Sequence, residues 1–142
     1  MTDTRYFLIP GEPTGKGRPR FMKNGHAYTP SKTAAYESIV RACYMAACGN
    51  ENVPFEKGIP LVATIDCIFG IPKSASKKRV QAMLCGLERP CKKPDLDNLV
   101  KAVLDAINGL AYHDDAQITT LHVTKRYGIA PCVKVWISKE DV

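Results

Sequence analysis

The stretch from Leu96 to Gly109 limits the possible folds more than any other part of the chain. Leu96, Leu99, Val100, Val103 and Ile107 recur at i, i+3, i+4 and i+7, which makes one apolar stripe on a helix over about Leu96–Asn108. Asp97, Lys101 and Asp105 are four apart and stack on a different, polar face. Gly109 after Asn108 is a natural C-terminal stop. A helix this one-sided needs an apolar surface to lie on.

The remaining sequence supplies that surface as strands. Arg5–Pro10 reads as a first strand, followed by a Gly- and Pro-rich loop to Pro19. Lys23-Asn24-Gly25-His26 is a tight-turn signal between two short strands, Arg20–Met22 and Ala27–Thr29. Thr29-Pro30-Ser31 opens a helix running to about Ala47 and ending near Gly49-Asn50, with Glu37 and Arg41 spaced for an i, i+4 pair. Leu61, Ala63, Ile65, Cys67 and Phe69 alternate along one strand face. Ser74 or Ser76 caps a second helix reaching about Leu84, and Gly86–Pro94 is a basic loop. Gln117–Arg126 and Val133–Ser138 read as a terminal antiparallel hairpin, with Val133, Val135 and Ile137 on one face. The expected fold class is α+β: one domain over 1–142, with a mixed β-sheet packed against helices.

The 142 residues are enough to bury a core without staples. No apolar run approaches the roughly 20 residues that span a bilayer, and the first residues lack the order of a signal peptide. A cytoplasmic location is expected, with no membrane association. The six cysteines form no C-x-x-C pair and have no histidine at zinc-finger spacing, so buried or half-buried free thiols are the expectation. Lys and Arg number 20 against 14 Asp and Glu, a net charge of +6, which suits an anionic partner. The basic residues cluster at Lys16, Arg18, Arg20 and Lys23, at Lys73, Lys77, Lys78 and Arg79, and at Lys92 and Lys93, the last pair directly before the densest acids. Lys16, Arg18, Arg20, Lys77, Lys78, Arg79, Lys92 and Lys93 are candidate contacts to a phosphate backbone.

Those acids carry the chemistry. Residues i and i+2 of a helix point about 200° apart, so Asp95 and Asp97 converge only if Asp95 lies at or before the helix start. Pro94 is consistent with that placement. One aspartate there would be an ordinary cap; two, preceded by two lysines, are less expected. Asp105 reads as a solvated or salt-bridging residue. Downstream, Asp114 and Asp115 form either a polar turn or the closing ligand of a metal site with Asp95 and Asp97. Hard cations such as Mg²⁺ take oxygen ligands and keep several waters, so two or three carboxylates suffice. His26, His113 and His122 have no Ser or Cys partner, so nucleophilic triad chemistry is unsupported.

The run Lys93-Pro94-Asp95-Leu96-Asp97-Asn98-Leu99-Val100-Lys101-Ala102-Val103-Leu104-Asp105-Ala106, with Asn108-Gly109 and Asp114-Asp115-Ala116-Gln117-Ile118, resembles the RusA family of Holliday junction resolvases. Gly15-Lys16-Gly17-Arg18-Pro19-Arg20 and Tyr28-Thr29-Pro30 resemble a subset of that family. The resemblance implies a homodimer that nicks two strands of a four-way DNA junction symmetrically, with Mg²⁺ (or Mn²⁺ in its place) and no organic cofactor. It implies Asp95, Asp97 and Asp115 as the essential carboxylates and metal ligands, and Lys101 as the functional lysine. Some members carry a basic residue immediately before the first aspartate, where this chain has Pro94. Two other readings of the same residues are a non-catalytic basic DNA-binding module and a carboxylate- and Mg²⁺-dependent phosphatase.

Overall fold

A computed structural model describes residues 3–17, 20–28, 30–49 and 53–141, with the side chains of Arg20 and Tyr28 outside that description. Arg18, Thr29 and Asn50, to which the sequence reading gave roles, also lie outside the described residues. In chain order the elements are β1 (Thr4–Pro10), β2 (Arg20–Phe21), β3 (Ala27–Tyr28), α1 (Ser31–Cys48), β4 (Leu61–Gly70), α2 (Lys77–Leu84), α3 (Leu96–Ala106), a 3-10 turn (Asp115–Gln117), β5 (Ile118–Gly128) and β6 (Cys132–Lys139). β2 and β3 form a separate ribbon around the Lys23–His26 turn, where Gly25 takes a φ of 85° and donates its N–H to the Met22 carbonyl. Ser76, not Ser74, caps α2, its hydroxyl accepting from the Arg79 N–H at 3.3 Å.

The main sheet has the order β1-β6-β4-β5. β6 runs antiparallel to both β1 and β4, and β4 runs parallel to β5. The sheet is mixed, and the fold is α+β as the sequence implies. The expected terminal hairpin is not there: β5 and β6 do not pair, because β4 lies between them. The three-residue link 129–131 must cross two strand spacings, about 10 Å, which its four Cα–Cα steps of about 3.8 Å can reach. It passes over the end of β4. A Cβ on Gly70 would meet Pro131 Cγ at 3.7 Å and Glu12 Oε1 at 2.6 Å, so a bare backbone fits there.

β4 is central because it is the most apolar strand. Leu61, Ala63, Ile65 and Cys67 are completely buried, facing Val133, Val135 and Ile137 of β6 and, beyond them, Phe7 and Ile9 of β1. This face packs on α1 and α3, through Val40 and Tyr44 of the first and Leu99, Ala102 and Val103 of the second. Arg5 also points inward, donating to the Tyr44 hydroxyl at 2.9 Å and stacking 4.0 Å from the Phe55 ring centroid. No helix of the described chain is long and apolar enough to cross a membrane.

Three local expectations change. Leu96 is exposed, since the apolar stripe of α3 begins only at Leu99. Cys85 and Cys91 are exposed rather than buried, although all six thiols are free. Glu37 lies toward Lys16, 3.8 Å away, and Arg41 donates to the Ser38 hydroxyl, so the i, i+4 pair on α1 is not formed.

If β4 is the strand on which the core is assembled, Ile65→Ala should cost about 2–5 kcal/mol, the range for truncating a sealed aliphatic side chain. Leu87→Ala, at an 85% exposed position, should stay within about 0.5 kcal/mol. Urea denaturation of the two variants measures both; equal midpoints would contradict the central placement of β4.

Candidate active site

A parallel strand pair cannot be joined by a tight turn and needs a crossover. Here the crossover from β4 to β5 runs through α2, the 86–94 loop, α3 and the 3-10 turn. It carries every acid singled out in the sequence between Asp95 and Asp115.

Asp95 occupies the N-cap position of α3 with extended backbone, φ −69° and ψ 156°. It therefore lies before the helix start, as the geometry of two converging carboxylates requires. Its side chain makes no capping hydrogen bond. Asp97 follows in the first turn. Both are exposed, as is Lys101, and among the described residues none of the three side chains has a hydrogen-bond or ion-pair partner. The Asp97–Lys101 ion pair that i, i+4 spacing allows is not formed among the described residues.

Asp115 opens the 3-10 turn, and Asp114 caps it by accepting from the Ala116 N–H at 3.2 Å. Gln117 holds this turn in place. Its buried amide accepts from the His113 and Asp114 N–H groups and donates to the Glu56 and Ile59 carbonyls at 2.8 and 3.1 Å. The Tyr112 hydroxyl donates to the Leu104 carbonyl, tying the turn's approach back to α3. The Asp115 carboxyl is pushed above the usual carboxylate range, chiefly by burial and then by the neighbouring carboxylates of Asp114 and Asp105. The Asp114 carboxyl is held below that range by the N–H it accepts.

Asp105 thus belongs beside Asp115, where sequence reasoning gave it only a salt-bridging role. The salt bridge exists too: Lys16 Nζ donates to Asp105 Oδ2 at 2.6 Å, which raises the lysine's pKa. The Gly15-Lys16-Gly17 segment reaches α3 because its glycines have no side chains. A Cβ on Gly15 would lie 2.8 Å from Pro94 Cβ, and one on Gly17 would lie 2.7 Å from Thr33 Oγ1. The Lys16 N–H donates to the Asn98 carbonyl at 3.1 Å, and the Gly17 N–H to Thr33 Oγ1 at 2.9 Å. Nothing local in the sequence signals this contact; it spans 89 residues between Lys16 and Asp105.

Asp97 and Asp105 share a face of α3, but eight residues of helix separate them by about 12 Å along the axis. Asp115 accompanies Asp105, two turns from Asp97, with Lys101 between. Among the described residues no three or more Asp, Glu, His or Cys side chains stand together at metal-holding spacing.

The basic residues divide by what they touch. Lys16, Lys32 and Lys93 line a groove of about 730 Å³ between the 12–17 segment, the start of α1 and the start of α3. Lys77, Lys78 and Lys92 are exposed. Arg79 forms a two-point ion pair with Glu88, at 2.7 and 3.3 Å.

The Asp115 shift has a measurable sign. A carboxyl whose folded pKa is raised favours the folded state fully below its ordinary pKa, and that contribution is lost as pH rises through the folded value. In metal-free buffer Asp115→Asn should therefore melt above wild type at pH 7, and the difference should vanish at about pH 3, below the ordinary carboxylate pKa. Thermal denaturation at the two pH values checks this; a variant melting below wild type at pH 7 would refute the repulsion.

Comparison with known proteins shows the family. The family model described as Endodeoxyribonuclease RusA matches residues 10–138, from the end of β1 through most of β6. The uncharacterized protein YqaN of Bacillus subtilis (strain 168) is 38% identical over 138 residues, covering 92% of this chain and 93% of YqaN. The matched span includes the whole crossover with its carboxylates, and the chain belongs to the RusA endodeoxyribonuclease family.

Proposed function

We propose that this protein is a Mg²⁺-dependent, structure-selective endonuclease that resolves four-way DNA junctions by paired symmetric nicks in recombination and repair. The observation that carries the reading is the start of α3. Asp95 and Asp97 stand there exposed and unpartnered among the described residues, beside a groove lined by three lysines. Membership of an endodeoxyribonuclease family supports hydrolysis over passive binding.

The donor set fits a hard divalent cation, because every candidate ligand is a carboxylate oxygen and Mg²⁺ commonly takes only one or two carboxylates and keeps its waters. Asp95 and Asp97 are the residues that would hold it, and Mn²⁺ would substitute; Asp115, which stands beside Asp105 two turns along α3, would act through bound water or on a second ion. Bound there, the ion supplies charge to polarise a phosphoryl oxygen and to acidify an attacking water. The chain's own groups do the rest. Lys101 lies one turn, about 6 Å of rise, beyond Asp97, and its ammonium, unpartnered among the described residues, can offset charge developing on the phosphate. Lys16, Lys92, Lys93, Lys77 and Lys78, with Arg18 and Arg20, would steer and seat the phosphate backbone. Arg79 would have to exchange Glu88 for a phosphate to join them. Two nicks related by symmetry call for two copies related by a two-fold axis. No organic cofactor takes part, and the work would be done in the cytoplasm, on branched DNA.

Purified protein with Mg²⁺ should nick a synthetic four-way junction in opposed strands, leave linear duplex largely intact, and stop on addition of EDTA. Asp95→Asn, Asp97→Asn and Asp115→Asn should each lower the single-turnover rate by at least about a hundredfold. Each should still bind the junction within about threefold of wild type, since the carboxylates oppose rather than aid polyanion binding. A chain inert on junctions at every salt and pH would leave the DNA-binding and phosphatase readings, which hydrolysis of a small phosphomonoester separates. Equal nicking by the triple variant would reject the site residues.

A further inference from the structure

Lys125 is a β5 residue in register with Cys67, so its side chain leaves the sheet on the face that carries the core. A lysine sent that way must bury its stem and still satisfy its ammonium. The stem passes the Phe69 ring, whose centroid lies 5.5 Å from Nζ. The ammonium then donates to two backbone carbonyls, Lys92 O at 2.6 Å and Pro94 O at 2.8 Å. Among the described residues no carboxylate forms a salt bridge with it. Arg89 closes the same loop from the other side, donating to the Lys125 carbonyl at 3.1 Å.

The Pro94 carbonyl belongs to the peptide that joins Pro94 to Asp95. On the other side of Asp95, its own carbonyl accepts from the Leu99 N–H at 3.1 Å. The backbone of Asp95 is therefore held on both flanks while its carboxylate is left out of the cap. Hydrogen bonds from an ammonium are roughly twice as strong as neutral ones, and an apolar side chain of the same length would fill the space without making either.

We infer that Lys125 is a positioning residue of the active site, whose ammonium fixes the peptide carrying Asp95 and so sets where that carboxylate stands. The inference rests on the nuclease reading, in which Asp95 is a ligand. Lys125 itself need not touch DNA.

The test uses the full-length chain on a synthetic four-way junction. Lys125→Met keeps the stem and removes the donor. Its single-turnover rate should fall about 10- to 100-fold, since small misplacement of a catalytic group costs about that much. Junction affinity should stay within about threefold of wild type, and the Mg²⁺ concentration for half-maximal rate should rise at least about fivefold, because a displaced ligand binds metal less well. Arg126→Met is the control. It breaks the Asp66–Arg126 pair on the opposite face of the sheet, so it should lower the melting temperature without moving the Mg²⁺ requirement. Should Lys125→Met not fold, Lys125→Gln retains a shorter donor that cannot serve both carbonyls and should show the same shift. Wild-type rate and Mg²⁺ dependence in a folded Lys125 variant would overturn the assignment, as would an equal shift in Arg126→Met. A wild-type chain inert on the junction would instead overturn the nuclease reading, and this assignment with it.

Discussion

The hydrogen bonding of β4 along both of its edges is the constraint on which the rest of the molecule depends. With β6 on one side and β5 on the other, the strand cannot face solvent at either edge. Because β5 must run parallel to it, a long crossover has to carry the chain from one end of the sheet to the other. That crossover holds α3 against the apolar face and delivers Asp95 and Asp97 at one end and Asp115 at the other. A simple β5–β6 hairpin would not place β5 beside β4 or set Lys125 under the 92–94 loop.

Around this frame the charges are arranged so that few are buried without an answer. Lys16 crosses from the N-terminal segment to neutralise Asp105, which lies beside Asp115. The Asp114 carboxylate is held by the Ala116 N–H, and the backbone of the 3-10 turn by Gln117. Asp95, Asp97 and Lys101 are left unpartnered among the described residues. These three stand exposed on adjoining turns at the start of one helix, where a ligand can reach them together.

Much of the fold could be read from the residues. The alternation at Leu61–Phe69 and Val133–Ile137 located two strands and their buried faces, since a side-chain period of two leaves one choice of face per strand. The position of Asp95 at or before the helix start followed from helix geometry, given that its carboxylate converges with that of Asp97, and from Pro94. Strand order was misread because a three-residue link between two strands ordinarily means a hairpin. Local chemistry cannot reveal that a third strand, paired with β5 residues 57 to 58 positions later, is apolar enough to take the middle. Leu96 fitted the helical stripe by spacing, yet stands on the first turn, where the sheet no longer covers it.

The candidate site divides in the same way. The sequence by itself determined which residue types are present and how neighbours within one helix are disposed: Asp97, Lys101 and Asp105 on a single face, with Asp95 ahead of them. Helical periodicity is a local property, so it needs no knowledge of the rest of the chain. Only the tertiary structure decided what each of those groups meets. It brought Lys16 to Asp105, Gln117 to the 56–59 carbonyls and Lys125 to the peptide before Asp95. These contacts join segments 89, 58 to 61 and 31 to 33 residues apart. Such distances are closed by the burial of β4 and the crossover it imposes, and that burial is a property of the assembled sheet rather than of any one stretch of sequence.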